Sequence, residues 1–421
     1  MIIATAPTNL AVQELAEKVY NQVKLQNGNL IFLQSIANEL ISESEQTRQA
    51  WQTARLSEIL QKHLKAEVPD ADTPFIKRYI SRRILHDGNA YKEDEALAQA
   101  IAIHKPRIIC GTVPMVRTAL EVWNNKFSPD ELLHLIVDKA GLLPEMFLFV
   151  LISFLPNIQK LLFIGDYKQS PPYVGATPQR TVYLGHEGAL HKLARNVSLK
   201  HITLTKNFRS HPRMVEAISA ASYDGILRPA QETWGRTMWS ELGSPAPNHE
   251  VPFLFPHTTG KEQLTQEKSW VNDLHNELAV QMNQFILQRQ PDAQVVILCY
   301  YNASVRDIEQ RQPGVKVFSI NRYQGGECDF AIIVTARVHS AEKFRNVDFV
   351  LDPQRTTVAI MRAREGIFII GEQDILDQSP VWKTFIDKFS CVRSFLIEFY
   401  DWLAEYKHRV TAKSFFARKL R

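Results

Sequence analysis

Residues 134–145 read HLIVDKAGLLPE. The run is apolar and partly β-branched through Val137, ends in Asp138 and turns through Lys139, Ala140 and Gly141. A continuous apolar run bounded by a turn marks a strand buried on both faces of a parallel sheet, whereas strict alternation would mark one wet face. Outward from this stretch the same pattern recurs at residues 1–4, 107–110, 133–138 and 160–165, and again at 295–300, 315–319, 330–335 and 366–371. Helical patterns separate the runs, which predicts an α/β fold. The strands form one group before residue 172 and another after residue 294. Residues 173–200 and 227–270 between them read as connections. The expectation is two α/β domains in tandem.

Residues 25–104 interrupt the first domain and hold no convincing strand after Leu33. Helical patterns at 42–64, 75–85 and 93–104 predict a helical insertion. Lys77, Arg78, Arg82 and Arg83 cluster around Tyr79 there, and Lys77, Arg78 and Arg82 fall within one helical stripe. The chain has 421 residues, 45% hydrophobic and 22% charged, which excludes collagen-like and disordered classes. No apolar run is long enough to span a membrane, and the N-terminus lacks a secretory signal pattern. The net charge is +4, but residues 379–421 hold nine Lys or Arg against four Asp or Glu. That basic tail suits a polyanion or simply a solvated terminus. Cys110, Cys299, Cys328 and Cys391 form no C-x-x-C pair, which argues against structural zinc. Cys110 and Cys299 sit in apolar runs and read as buried strand residues. Together these features predict an intracellular protein, of cytoplasm or nucleus, with no membrane partner.

Five further segments carry chemistry. Residues 3–19 (IATAPTNLAVQELAEKV) read as strand, polar loop and amphipathic helix, with Ala11, Leu15 and Val19 on one face and Asn9 placed to cap it. Thr8 and Asn9 can meet a phosphate at the helix N-terminus. Asp138, at the end of its strand, stands where a P-loop NTPase holds Mg2+. Lys139 follows it; a lysine has no acceptor and cannot serve as the base for an attacking water. Residues 161–172 (LLFIGDYKQSPP) read as a second buried strand whose exit carries Gln169. Residues 204–223 set Phe208 beside Arg209 before a helix, an aromatic face for a base and a guanidinium for phosphate. Residues 317–335 hold Gln324, Gly325, Gly326 and Glu327 between two strands; the glycines permit close backbone approach, and Glu327 can accept from a ribose or a cationic finger. Residues 349–371 hold Arg355, Arg362 and Arg364; Arg355 and Arg362 are seven apart and would share one helical face.

The order of these segments carries more than any one of them. TAPTNLAV, IICGT, DKAG, GDYKQSPP, NFRSHP, RYQGGECD and RTTVAIMRAR, in that sequence, resemble the motif set of superfamily 1 helicases, most nearly the up-frameshift and senataxin subfamily. The likeness runs from Ile3 to Gly371, apart from the insertion. It implies two tandem RecA-like P-loop NTPase domains with parallel sheets: residues 1–172 with the helical insertion, residues 173–378, and a basic helical tail at 379–421. It implies ATP and Mg2+ as cofactors and single-stranded RNA or DNA as partner. Carried over by residue, Asp138 holds the metal, Gln169 senses the γ-phosphate and Arg209 and Arg362 are arginine fingers. Phe208 stacks on adenine, Glu327 and Gly325 lie at the ribose and phosphates, and Thr8, Asn9 and Thr112 touch the nucleic-acid backbone.

Departures from the pattern bear on activity. No G-x-x-x-x-G-K-[ST] loop occurs among the 421 residues; Gly260-Lys261 is the nearest fragment, with Phe255 at the first glycine position and Glu262 at the hydroxyl position. Without the strand preceding that loop, the first sheet is expected to show a long apolar edge. Lys139 replaces the family's glutamate, Ser170 a leucine and Met361 a threonine. These departures imply a fragment or a degenerate member with impaired ATP hydrolysis. The alternative is a non-catalytic nucleic-acid-binding or scaffold protein on a helicase fold.

Overall fold

The computed structural model describes residues 2–23, 30–33, 59, 62, 101, 106–123, 133–155, 158–175, 178–196, 198–230, 236–242, 251–256, 258, 260–338 and 347–389. The expected helices at 42–64, 75–85 and 93–104, the basic stripe around Tyr79, and the tail beyond residue 389 lie outside these. The chain divides into two compact units, Met1–Tyr167 with Pro171–His201, and Lys168–Ser170 with Ile202–Arg421.

The first unit runs β1 (Ile2–Ala6), α1 (Asn9–Val23), β2 (Leu30–Leu33), β3 (Ile108–Thr112), α2 (Val113–Trp123), β4 (Leu133–Val137), α3 (Glu145–Ser153), β5 (Ile158–Phe163) and α4 (Ala189–Ala194). Its five strands pair in parallel in the order β2-β3-β1-β4-β5. Alternate residues of a strand face opposite sides, and the core divides accordingly. Ile3, Leu135 and Val137 pack with Val116, Leu120, Leu148 and Leu151 of α2 and α3. Ala4, Ala6 and Cys110 pack on the other side with Ala11, Val12 and Ala16 of α1. The small residues on that side let α1 lie close over the sheet.

β5 corrects the reading of a second buried strand. It stands at the sheet edge, paired only with β4, and Leu161 and Leu162 are 44% and 51% exposed. Neighbouring residues on a strand face opposite ways, so the sheet is bare on both faces here. Among the described residues no strand covers its outer side. An apolar run has the same composition in a central strand and in an uncovered edge strand, so composition could not separate them.

The second unit runs β6 (Lys206–Asn207), α5 (Pro212–Ser222), β7 (Arg228–Pro229), β8 (Phe253–Leu254), β9 (Glu262–Leu264), β10 (Trp270–Asn272), α6 (Asp273–Arg289), β11 (Val295–Cys299), α7 (Asn302–Arg311), β12 (Val317–Ser319), β13 (Cys328–Val334), α8 (Pro353–Ile360), β14 (Ala363–Ile370) and α9 (Pro380–Asp387). Its main sheet is again parallel and five-stranded, ordered β12-β11-β13-β14-β8. β11 is buried at every position, and β13 and β14 nearly so, as expected for strands covered on both faces. Trp239, Phe330, Phe368, Phe253, Trp382 and Phe385 belong to one continuous core. Both units are thus α/β with parallel sheets.

The stretches that read as connection hold regular elements, among them α4, β7, β8 and a hairpin. β8 is only two residues long and borders β14. β9 and β10 form an antiparallel hairpin. Gly260 precedes that hairpin with φ +79°, and a Cβ there would lie 2.7 Å from the Asn272 side chain. Glu262 is buried against Arg337, Nε to Oε2 2.8 Å, with the Arg337 guanidinium over the Trp270 ring. Gly260-Lys261 therefore opens a hairpin and is no phosphate loop.

Candidate functional site

In the first unit the expected residues collect at the carboxyl ends of adjacent strands. Ala6 of β1 is in register with Thr112, the last residue of β3. Thr8 and Asn9 follow β1. Asp138 follows β4 and donates its N–H to the Thr5 carbonyl at 2.8 Å. Open parallel sheets bind ligands at this edge. Thr8, rather than Asn9, caps α1: its Oγ1 accepts from the Ala11 N–H at 3.3 Å, while Asn9 is the first helical residue. The hydroxyl reaches the free N–H two residues inside the helix only from the position before it.

Asp138 is half-buried, and none of the described residues donates a hydrogen bond to its carboxylate. Lys139 has φ +50°, a left-handed conformation uncommon outside glycine. From there its Nζ reaches Glu14 Oε2 on α1 at 2.7 Å. The next turn is tight. A Cβ on Gly141 would sit 3.0 Å from the Asp166 carbonyl oxygen, and one on Gly165 would sit 2.9 Å from the Ala140 nitrogen. The DKAG and GD segments therefore pack backbone to backbone.

The second unit brings Gln169, Phe208, Arg209, Gly325, Glu327 and Arg362 into one neighbourhood, since residues 168–170 belong to it. Arg362 is 2% exposed and uses its whole guanidinium: Nε donates to the Val358 carbonyl (2.7 Å), Nη1 to the Gly326 carbonyl (3.2 Å) and Nη2 to Gln169 Oε1 (3.0 Å). Burial, with the neighbouring charge of Arg209, pushes its pKa down to about 10, which leaves it cationic at neutral pH. Arg209 Nε donates to Glu327 Oε2 at 2.7 Å and Nη1 to the Met361 carbonyl at 3.0 Å. Glu327 also takes Arg364 Nη1 at 3.4 Å, so its carboxylate holds two guanidinium groups. Met361 accepts from the Tyr223 hydroxyl at 2.9 Å through its sulfur. Gly325 has φ +99°, which requires glycine or strain. Phe208 is 67% exposed, a free aromatic face.

One expectation fails. Arg355 and Arg362 do not share a helix, because α8 stops at Ile360 and the chain turns into β14 two residues later. Arg355 instead lies over the Phe349 ring, 3.7 Å from its centroid, and donates to the Phe349 carbonyl.

The sequence reading missed Arg236. It lies in the stretch taken as connection, yet its Nη2 donates to the Arg209 carbonyl at 2.6 Å and its Nη1 to Glu365 Oε1 at 3.2 Å. A lone arginine in a polar loop gives no signal; only its partner on β14 makes it notable.

Comparison with known proteins fits this arrangement. Residues 186–374 match the AAA_12 family, an AAA domain. Regulator of nonsense transcripts 1 of Dictyostelium discoideum is 24% identical over 324 residues, covering 72% of this chain and 23% of that protein. Its Caenorhabditis elegans namesake is 23% identical over 406 residues, 92% of this chain and 35% of its own. ATP-dependent helicase upf1 of Schizosaccharomyces pombe is 20% identical over 405 residues, 91% of this chain and 40% of its own. The chain is thus similar to helicases of the regulator of nonsense transcripts 1 and upf1 type over most of its length. It spans between 23% and 40% of the length of these relatives. Among the described residues, no helix is long and apolar enough to cross a membrane, and no cluster of three metal-ligating side chains occurs.

Proposed function

We propose that this chain is a nucleic-acid-binding member of the up-frameshift and senataxin subfamily, by descent an ATP-dependent RNA or DNA translocase, in which ATP hydrolysis is impaired. The observation that carries the impairment is the Lys139–Glu14 pair. The position after Asp138 holds a cation already committed to a carboxylate, so no group there can take a proton from water.

The remaining residues suit Mg2+ and ATP in part. A single half-buried carboxylate without a donor, Asp138, matches the one or two carboxylates with which Mg2+ is held beside phosphates. Mg2+ there would neutralise phosphate charge. In the second unit the exposed Phe208 ring offers a stacking face for adenine, and Glu327 fixes the direction of Arg209. Arg209 and Arg362 carry the positive charge for phosphate oxygens, and Gln169 is a neutral donor and acceptor suited to sensing a γ-phosphate. Both arginines must exchange carbonyl or carboxylate partners to meet phosphate, an added cost of binding. Thr8, Asn9 and Thr112 would touch the nucleic-acid backbone.

The test is a fluorescence anisotropy titration of labelled single-stranded RNA and DNA of unrelated sequences at two salt concentrations. The expected result is weak, sequence-independent binding that falls steeply with salt, because phosphate contacts dominate. A well-folded chain that binds neither strand at low salt would overturn the nucleic-acid reading.

A further inference from the structure

The Phe208–Arg209 segment is clamped from two sides. On one side it docks on the start of β14: the Ser210 hydroxyl donates to the Ala363 carbonyl at 2.8 Å and the His211 N–H to the Arg364 carbonyl at 2.7 Å. Asn207 Oδ1 accepts both the Arg209 and Ser210 N–H groups, at 2.9 and 3.0 Å. On the other side stands Arg236, whose Nη2 spans the Arg209 carbonyl (2.6 Å) and the Phe208 carbonyl (3.4 Å). We propose that Arg236, anchored by Glu365, is a positioning residue that aims the Phe208 ring and the Arg209 guanidinium at the nucleotide. The inference deepens the nucleotide reading of those two residues and rests on it.

Three observations separate this role from an ordinary buried ion pair. First, the pair is not arranged for its own strength. Arginine and carboxylate bind best through two parallel bonds, yet here one bond forms, and Arg236 Nε is buried without a hydrogen-bond partner. The guanidinium is turned toward the two carbonyls instead. Second, the donor is held firmly. Arg236 precedes the turn Met238–Glu241, whose Trp239 ring lies so close to Gly366 that a Cβ there would be 2.2 Å away. Glu365, next to Gly366, thus sits beside the same anchor. Third, the carbonyls grasped belong to the two residues whose side chains have the nucleotide roles. Fixing both peptide planes fixes both Cα–Cβ directions, which is how a group touching no ligand can set affinity.

The test uses the purified full chain and mant-ATP, with hydrogen exchange of residues 206–211 measured in parallel. Arg236→Gln is expected to weaken mant-ATP binding about tenfold, the loss of one charge-assisted hydrogen bond, and to speed exchange at Arg209 and Ser210. The exchanged pair Arg236→Glu with Glu365→Arg restores opposite charges but leaves no donor at position 236. It is expected to recover the melting temperature without recovering affinity or exchange protection. Arg236→Lys, which keeps a cation and loses the fork, should fall between. Should Arg236→Gln not fold, the lysine variant decides alone. Wild-type affinity and protection in the exchanged pair or in the lysine variant would overturn the proposal. If the unaltered chain binds no mant-ATP, the nucleotide reading falls, while the exchange data still decide whether Arg236 positions the segment.

Discussion

Lys139 Nζ lies 2.7 Å from Glu14 Oε2, which ties the turn after β4 to the second turn of α1. Both side chains are partly exposed, 21% and 32%, so the pair is worth little as stability, about 1 kcal/mol or less. Lys139→Met should lower the urea midpoint only slightly. A loss of several kcal/mol would show that the cation has a structural weight the geometry does not give it.

Gly366 is a packing requirement. Alanine would drive a methyl into the Trp239 ring, 2.2 Å from Cε3, in a core where overpacking costs about 1–3 kcal/mol. Gly366→Ala should lower the melting temperature by several degrees. Unchanged melting would mean that Trp239 is free to move.

The eight strand runs read from sequence all occur as strands, because a short apolar run bounded by turns writes itself into composition whether the strand is covered or, like β5, stands bare at an edge. What escaped depends on partners distant in sequence. Arg236 and Glu365 are 129 residues apart. β8 is two residues, too short for a period. The helix break between Arg355 and Arg362 falls in an apolar stretch with no Gly or Pro to mark it. Arg209, Glu327, Gln169 and Arg362 were legible as a group only through their order along the chain. That Gln169 meets Arg362 through a direct hydrogen bond was not.

His211 gives a pH dependence. Its Nδ1 accepts from the Arg213 N–H at the start of α5, and burial, with the charges of Arg236 and Arg213, lowers its pKa to about 4. The unfolded histidine titrates near about 6.5. A depressed pKa gives stability that is complete above that value and is lost as pH falls through the folded value. The loss should lie between about pH 6.5 and 4, on the order of 3 kcal/mol. His211→Asn keeps an acceptor and should flatten that part of the pH profile of urea unfolding. An unaltered profile would contradict the assignment.

The bare edge at β5 should make the chain self-associate. Leu161 and Leu162 are exposed at an edge that none of the described strands covers, the usual template for edge-to-edge pairing. Leu162→Lys should reduce association in sedimentation velocity and leave the melting temperature nearly unchanged. Equal association in both proteins would show that the edge is covered.

The measurement that bears most directly on the account is steady-state ATP turnover by the purified chain with Mg2+, with and without single-stranded RNA, alongside Asp138→Ala. Turnover at background in both proteins, unmoved by RNA, is the predicted result, because Lys139 is held by Glu14 where a base is needed. RNA-stimulated hydrolysis that Asp138→Ala abolishes would contradict it.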